Sequence, residues 1–257
     1  MTVKTETRDS ILLVTIQRPQ VRNAVDGPTA RELFRVFTEF SSDPALSVAI
    51  LTGEGEHFCA GADLKALSED QQRANPLNPD MSQAAPMGPT RLMAGKPVIA
   101  AISGYAVAGG LELACWCDLR IADHSARFGV FSRRFGVPFI DGGTQRLPRL
   151  IGLSRSLDLM LTGRELNAKE ALHFGLVNRL TDGDVLTAAM ETAERITSFP
   201  QECLRNDRQA IYNGLSMPLE DGIKMEFEMG RKTIESGETQ QGAKRFNSGA
   251  GKHGSFN

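Results

Sequence analysis

Two features of the chain predict an α/β fold with largely parallel strands and a helical C-terminal region. Strand and helix signals alternate through its first half, and from residue 142 onward the apolar spacing is helical. "ILLVTIQRP" (11–19) reads as a strand stopped by Pro19. Pro28 suits the first turn of a helix, and "ARELFRVFTEF" (30–40) places Leu33, Phe34, Phe37 and Phe40 at helical spacing. "SVAILTGEG" (47–55), "KPVIAAISG" (96–104) and "CDLRIAD" (117–123) supply three further strands. Residues 68–90 carry four prolines among polar residues and read as a long loop, either functional or a surface insertion. "LSRSLDLMLTG" (153–163) ends in Gly163, and "NAKEALHFGLV" (167–177) opens with an Asn cap and Glu170 three residues later. "DVLTAAMETAERITSF" and residues 201–235 give longer helices, and "SGAGKHGSFN" is a tail. The expected division is a core over 1–195 and a helical region with its tail over 196–257.

Composition narrows the function classes. With 257 residues, 41% hydrophobic and 23% charged, the chain has the make-up of a soluble globular protein with a large core. A net charge of -2 gives no basic field for nucleic acid, and Arg133-Arg134 and Lys244-Arg245 read as surface or contact pairs. "MTVKTETRDS" has no apolar signal core, and no stretch reaches the roughly 18 apolar residues of a membrane span. Cys59, Cys115, Cys117 and Cys203 match neither a disulfide framework nor a zinc pair, and the four histidines are scattered. A cytoplasmic enzyme or binding protein is expected, without a metal.

"GGLELACWCD" (109–118) sets one carboxylate, Glu112, among apolar residues. An ionised carboxylate there either faces water on an amphipathic helix or is buried with a raised pKa. Two glycine turns bear on the choice. In "HFCAGADL" (57–64) Gly61 permits a sharp turn after a strand and leaves amides such as that of Ala62 unpaired. "YAVAGGLEL" (105–113) repeats the device, Gly109 and Gly110 allowing close backbone approach to a ligand. Both turns fall at strand ends, where α/β folds bind ligands.

"RPQVRNAV", "HFCAGADL", "KPVIAAISGYAVAGGLELACWCDLRIAD", "GGTQRLPRLIG" and "LTGRELNAKEALHFGLVNRL", in this order, resemble the crotonase, or enoyl-CoA hydratase/isomerase, superfamily. The resemblance implies a spiral of ββα turns and a homotrimer or dimer of trimers. It implies an acyl-CoA thioester substrate and no cofactor beyond the coenzyme A of that substrate. It also implies an oxyanion hole from the amides of Ala62 and Gly109, and a catalytic carboxylate at Glu112. Arg22, Ala24, Ala60, Asp63, Leu64 and Lys65 would lie along the nucleotide and pantetheine, Arg22 and Lys65 being either phosphate contacts or plain surface charge.

The chain departs from the family at one place. Ser132 stands where hydratases carry their second glutamate, and the nearest downstream carboxylate is Asp141, before "GGTQRL". Asp141 reads either as a catalytic partner of Glu112, as in naphthoate-synthase-type members, or as an N-cap of the helix that follows. The expected function is an enoyl-CoA hydratase-like lyase acting through the oxyanion hole and carboxylate acid/base catalysis. The alternatives are an isomerase or a C–C or thioester hydrolase of the same fold, and a non-catalytic acyl-CoA-binding paralogue.

Overall fold

Val3–Arg8 forms strand β1 and pairs antiparallel with β2, Ile11–Ile16, in the computed structural model, which describes residues 2–251. Only Val3 of β1 is buried, so a strand of lysine, threonine, glutamate and arginine escapes any reading based on apolar alternation. Its charged edge suits the end of a sheet. Helix α1 (Gly27–Ser42) follows, with Pro28 in its first turn and Asp26 as its cap: the carboxylate accepts from the Thr29 amide at 3.0 Å. β3 (Val48–Gly53) then lies parallel to β2. The short helix α2 (Leu64–Glu69) leads into the long loop. β4 (Val98–Ile102) and β5 (Tyr105–Val107) precede α3 (Gly109–Trp116). β6 (Leu119–Asp123) and β7 (Arg127–Gly129) precede α4 (Gly143–Ile151) and α5 (Leu153–Thr162). The two-residue β8 (Leu166–Asn167), α6 (Ala168–Phe174), β9 (Arg179–Thr181) and α7 (Val185–Thr197) follow.

The strands β4 to β7 alternate between two sheets, which gives the ββα repeat its form. One sheet has the order β1-β2-β3-β4-β6-β9, parallel except at the first pair, and the second has the order β5-β7-β8. All five residues of β4 are buried, as expected for an interior parallel strand covered on both faces. Leu33, Phe37 and Phe40 of α1 are buried in the core, where the Phe37 ring meets Trp116 edge-on with centroids 4.8 Å apart. Each such fully buried side chain contributes about 1.5–3 kcal/mol. The three-residue strands β5 and β7 hide inside "YAVAGG" and "ARFG", too short for any periodicity to show.

The long loop is fastened rather than loose. Arg73 pairs with Asp26 at 2.5 Å, the Gly27 amide donates to the Arg73 carbonyl, and Asn75 donates to the carbonyls of Val25 and Pro86. A free surface insertion is therefore the wrong reading of this segment. Arg133 and Arg134 are spent on the carbonyls of Met160 and Gly163, as local contacts.

The chain separates into two compact units, Met1–Glu194 and Arg195–Asn257. In the second, α8 (Gln201–Gly214) packs on α9 (Leu219–Glu235), and α10 (Glu238–Asn247) follows. Glu238 fastens this unit from within, accepting from the amides of Glu202 and Cys203 at the start of α8. The last part of the expected tail, 252–257, lies outside the described residues.

Candidate active site

The two glycine turns are sewn together by backbone hydrogen bonds. Cys59 donates to the Tyr105 carbonyl at 2.8 Å and its own carbonyl accepts from Val107 at 3.1 Å, so the segment after β3 runs beside β5. This seam sets Gly61 against the start of α3: a Cβ on Gly61, whose φ is +98°, would sit 2.9 Å from the Gly109 nitrogen. A Cβ on Gly110 would strike the Cys59 carbonyl oxygen at 2.1 Å. Gly110 thus admits another backbone strand, and only through that approach does it shape a ligand site. Ala108, between them, holds φ 53° and ψ -127°, a conformation that costs an alanine about 1–3 kcal/mol. Among the described residues, the N–H groups of Ala62 and Gly109 meet no acceptor. The first is in the turn and the second opens α3, where a helix leaves its amides unpaired.

Glu112 sits in the first turn of α3, a helix buried along its whole length, and is itself 2% exposed. The wet-face reading fails because α3 has no wet face. Its Oε1 accepts from the amides of Asp141 at 2.9 Å and Gly143 at 2.8 Å, and Oε2 receives neither bond. A Cβ on Gly143 would come within 2.9 Å of Oε1, so the second glycine of "DGG" gives the carboxyl its seat. Burial, with the neighbouring Asp141 carboxyl, pushes the Glu112 pKa up to about 8, against the two amide bonds that pull it down.

Asp141 is 4% exposed and does not cap α4. The cap position belongs to Gly142, and no side chain bonds there. The Asp141 carboxylate instead accepts from the Thr90 hydroxyl at 2.6 Å and the Met87 amide at 2.9 Å, both on Oδ1. Burial raises its pKa, while those two bonds and the Arg91 and Arg146 guanidiniums hold it down. Arg146 braces the turn, donating to the carbonyls of Asp141 at 3.0 Å and Thr90 at 2.7 Å. Met87, Thr90 and Arg146 escaped the sequence reading. Thr90 and Met87 lie 51 and 54 residues from Asp141, and only the fastened loop brings them there.

Glu112, Asp141, Gly109, Ala60, Ala62 and Leu64 all line one cavity of about 340 Å³, whose remaining wall is mostly apolar. Arg22, Ala24, Asp63 and Lys65 are not among its lining residues. Asp63 is turned inward: its carboxylate caps α2 through the Lys65 and Ala66 amides and pairs with buried Arg18 at 2.7 Å. Ala24 is buried. Arg22 is exposed and lies over the Tyr105 ring, 5.5 Å from its centroid; Lys65 is exposed near Glu69. Ser132 lines the same cavity. Cys59, Cys115 and Cys117 are buried thiols with raised pKa, and Cys203 is exposed. Two unpaired amides and two buried carboxyls around an apolar cavity form an arrangement able to stabilise a developing oxyanion and to move protons.

Comparison with known proteins identifies the family and the fold. The profile of the enoyl-CoA hydratase/isomerase family matches residues 6–250. A probable enoyl-CoA hydratase of Rhizobium meliloti is 34% identical over 246 residues, covering 95% of this chain and 94% of the relative. The (E)-benzylidenesuccinyl-CoA hydratase of Thauera aromatica is 37% identical over 225 residues, 87% of each chain. The crystal structure of an enoyl-CoA hydratase from Mycobacterium marinum superposes with a TM-score of 0.89 at 34% identity, covering 96% of both chains. The fold is thus the crotonase fold, and the chain belongs to the enoyl-CoA hydratase/isomerase family.

Proposed function

We propose that the protein is an enoyl-CoA hydratase-like lyase that adds water across the double bond of an acyl-CoA thioester. The observation that carries this reading is the pairing of two buried carboxyls, Glu112 and Asp141, in the cavity that Ala62 and Gly109 also line. In this reading the thioester oxygen accepts from the Ala62 and Gly109 amides. Those bonds strengthen as the oxygen takes on enolate charge, and losing one such donor costs about 3–4 kcal/mol. The environments of the two carboxyls divide the proton work. Glu112, whose pKa burial pushes up to about 8, enters as the acid, and Asp141, whose Oδ1 accepts from the Thr90 hydroxyl and the Met87 amide, enters as the carboxylate. Asp141 takes a proton from water as its oxygen bonds to Cβ, and Glu112 delivers its own proton to Cα. Exchange with solvent restores both groups. No cofactor beyond the coenzyme A of the substrate enters this scheme.

Arg22 and Lys65 are the exposed cations proposed to meet the phosphates of coenzyme A. A homotrimer or dimer of trimers is proposed on the family resemblance. Incubation with crotonyl-CoA tests the reaction: enoyl absorbance falls if water adds. A folded protein that binds the thioester and leaves the absorbance unchanged contradicts hydration.

A further inference from the structure

The Met87 amide that meets Asp141 belongs to a peptide gripped at its other end. Residues 85–88 form a tight turn closed by its own backbone. The Ala85 amide donates to the Gly88 carbonyl at 2.9 Å, and the Gly88 amide to the Ala85 carbonyl at 2.8 Å. A turn closed in this way leaves unused the peptide between its two central residues, and a buried peptide needs a partner at each end. Here that peptide joins Pro86 to Met87. Its N–H donates to Asp141 Oδ1 at 2.9 Å, and its carbonyl accepts from Asn75 Nδ2 at 2.7 Å. Hydrogen bonds in line polarise one another, so a donor on the Pro86 oxygen strengthens the Met87 N–H as a donor to the carboxylate. Asn75 Nδ2 also donates to the Val25 carbonyl at 3.0 Å. Two carbonyls can be served only by the NH₂ end of the amide, which fixes its orientation. Val25 in turn brackets the Ala62 turn: its amide donates to the Gly61 carbonyl at 2.8 Å, and its carbonyl accepts from the Asp63 amide at 2.9 Å. One buried NH₂ group therefore ties the segment that holds the Ala62 turn to the turn that meets Asp141.

Resting on the hydratase reading above, in which Asp141 acts as the base, we propose that Asn75 is a positioning residue for that reaction. Through the Pro86–Met87 peptide it holds the Asp141 carboxylate at a set place relative to the Ala62 amide. Asn75 exchanges no proton and acts only through that peptide.

Steady-state kinetics with crotonyl-CoA on Asn75→Leu, Asp141→Asn and the double variant test this. Leucine is close to asparagine in size and removes both donated bonds. N75L should lower kcat about fivefold or more, the weight of a typical hydrogen bond. Its KM should stay unchanged, as when an interaction is lost from the transition state alone. In the D141N background the same substitution should cost nothing further, because residues that act as one unit are not additive. A part in the cavity wall alone would raise KM instead, and a part in folding alone would cost the same factor in both backgrounds. Either result, or an unchanged kcat in N75L, overturns the inference while loss of activity in D141N keeps Asp141 as the base. Absence of crotonyl-CoA turnover in the unaltered protein, or near-native turnover in D141N, overturns the underlying reading and this inference with it. If N75L does not fold, Asn75→Ala removes the same donors without the bulk of leucine and is judged by the same outcomes.

Discussion

At the scale of single residues, the site turns on how differently two acids are held. Oε1 of Glu112 and Oδ1 of Asp141 each accept two bonds, so Gln and Asn can keep those bonds while removing the titrating proton. Glu112→Gln should lower turnover of crotonyl-CoA about a hundredfold or more, the usual weight of a positioned acid or base. Asp141→Asn should do the same. Near-native activity in D141N would reduce Asp141 to a brace for the Thr90 turn, and loss in E112Q alone would favour a single-carboxylate reaction such as isomerisation. Glu112 also makes a stability prediction. Its pKa rises from an ordinary 4.5 to about 8 on folding, so between those values the folded protein binds more protons than the unfolded chain. Stability therefore falls as pH rises through that window and is free of this cost below it. Denaturant unfolding of both proteins from pH 5 to pH 9 (about the span of the shift) should show E112Q gaining on the unaltered protein as pH increases. A constant difference would mean that Glu112 titrates near its ordinary value.

At the scale of elements, the turns that follow β3 and β5 carry the unpaired amides of Ala62 and Gly109, and the cations flanking them are open to test. Arg22 precedes the first turn and Lys65 lies in the first turn of α2, both exposed. Calorimetry with free coenzyme A should show weaker and less salt-dependent binding in the R22A/K65A double variant, because fewer counterions are exchanged when phosphates lose cationic partners. Equal binding and equal salt dependence would return both residues to plain surface charge. The same elements show what a single sequence can disclose. β2, β3, β4 and the α1 helix announce themselves through continuous apolar runs or helical spacing, and the Gly61 and Gly109-Gly110 turns through their place at strand ends. β1 is missed because an edge strand needs few apolar residues, and β5 and β7 because three residues make no pattern. The carboxyl positions are legible from "GGLEL" and "DGG", but their environments are not. Thr90, Met87 and Arg146 reach Asp141 through the fastening of a loop by Arg73 and Asn75, and long-range hydrogen bonds of that kind leave no local periodicity.

At the scale of the molecule, the helical unit carries apolar surface that its own packing does not cover. Ile223 of α9 is 55% exposed and Phe227 69%, one turn apart on one face, and Ile211 of α8 is 67% exposed. All three line a groove formed within this unit. Single exposed apolar residues are ordinary, whereas a contiguous set on two packed helices is the kind of surface that protein partners cover. Joined to the family resemblance, this argues for self-association through repeated copies, which closed symmetry makes finite. Sedimentation at micromolar protein should give the mass of a trimer or hexamer of the 27.9 kDa chain. Phe227→Asp combined with Ile223→Asp should shift that mass downward, since a charge placed in an apolar contact has no partner there. Both substitutions lie on exposed positions, so the helical content of the monomer should survive, and circular dichroism can verify that it does. A single species at the monomer mass for the unaltered protein would contradict self-association. An unchanged trimer or hexamer in the double variant would instead move the interface off this face of α8 and α9.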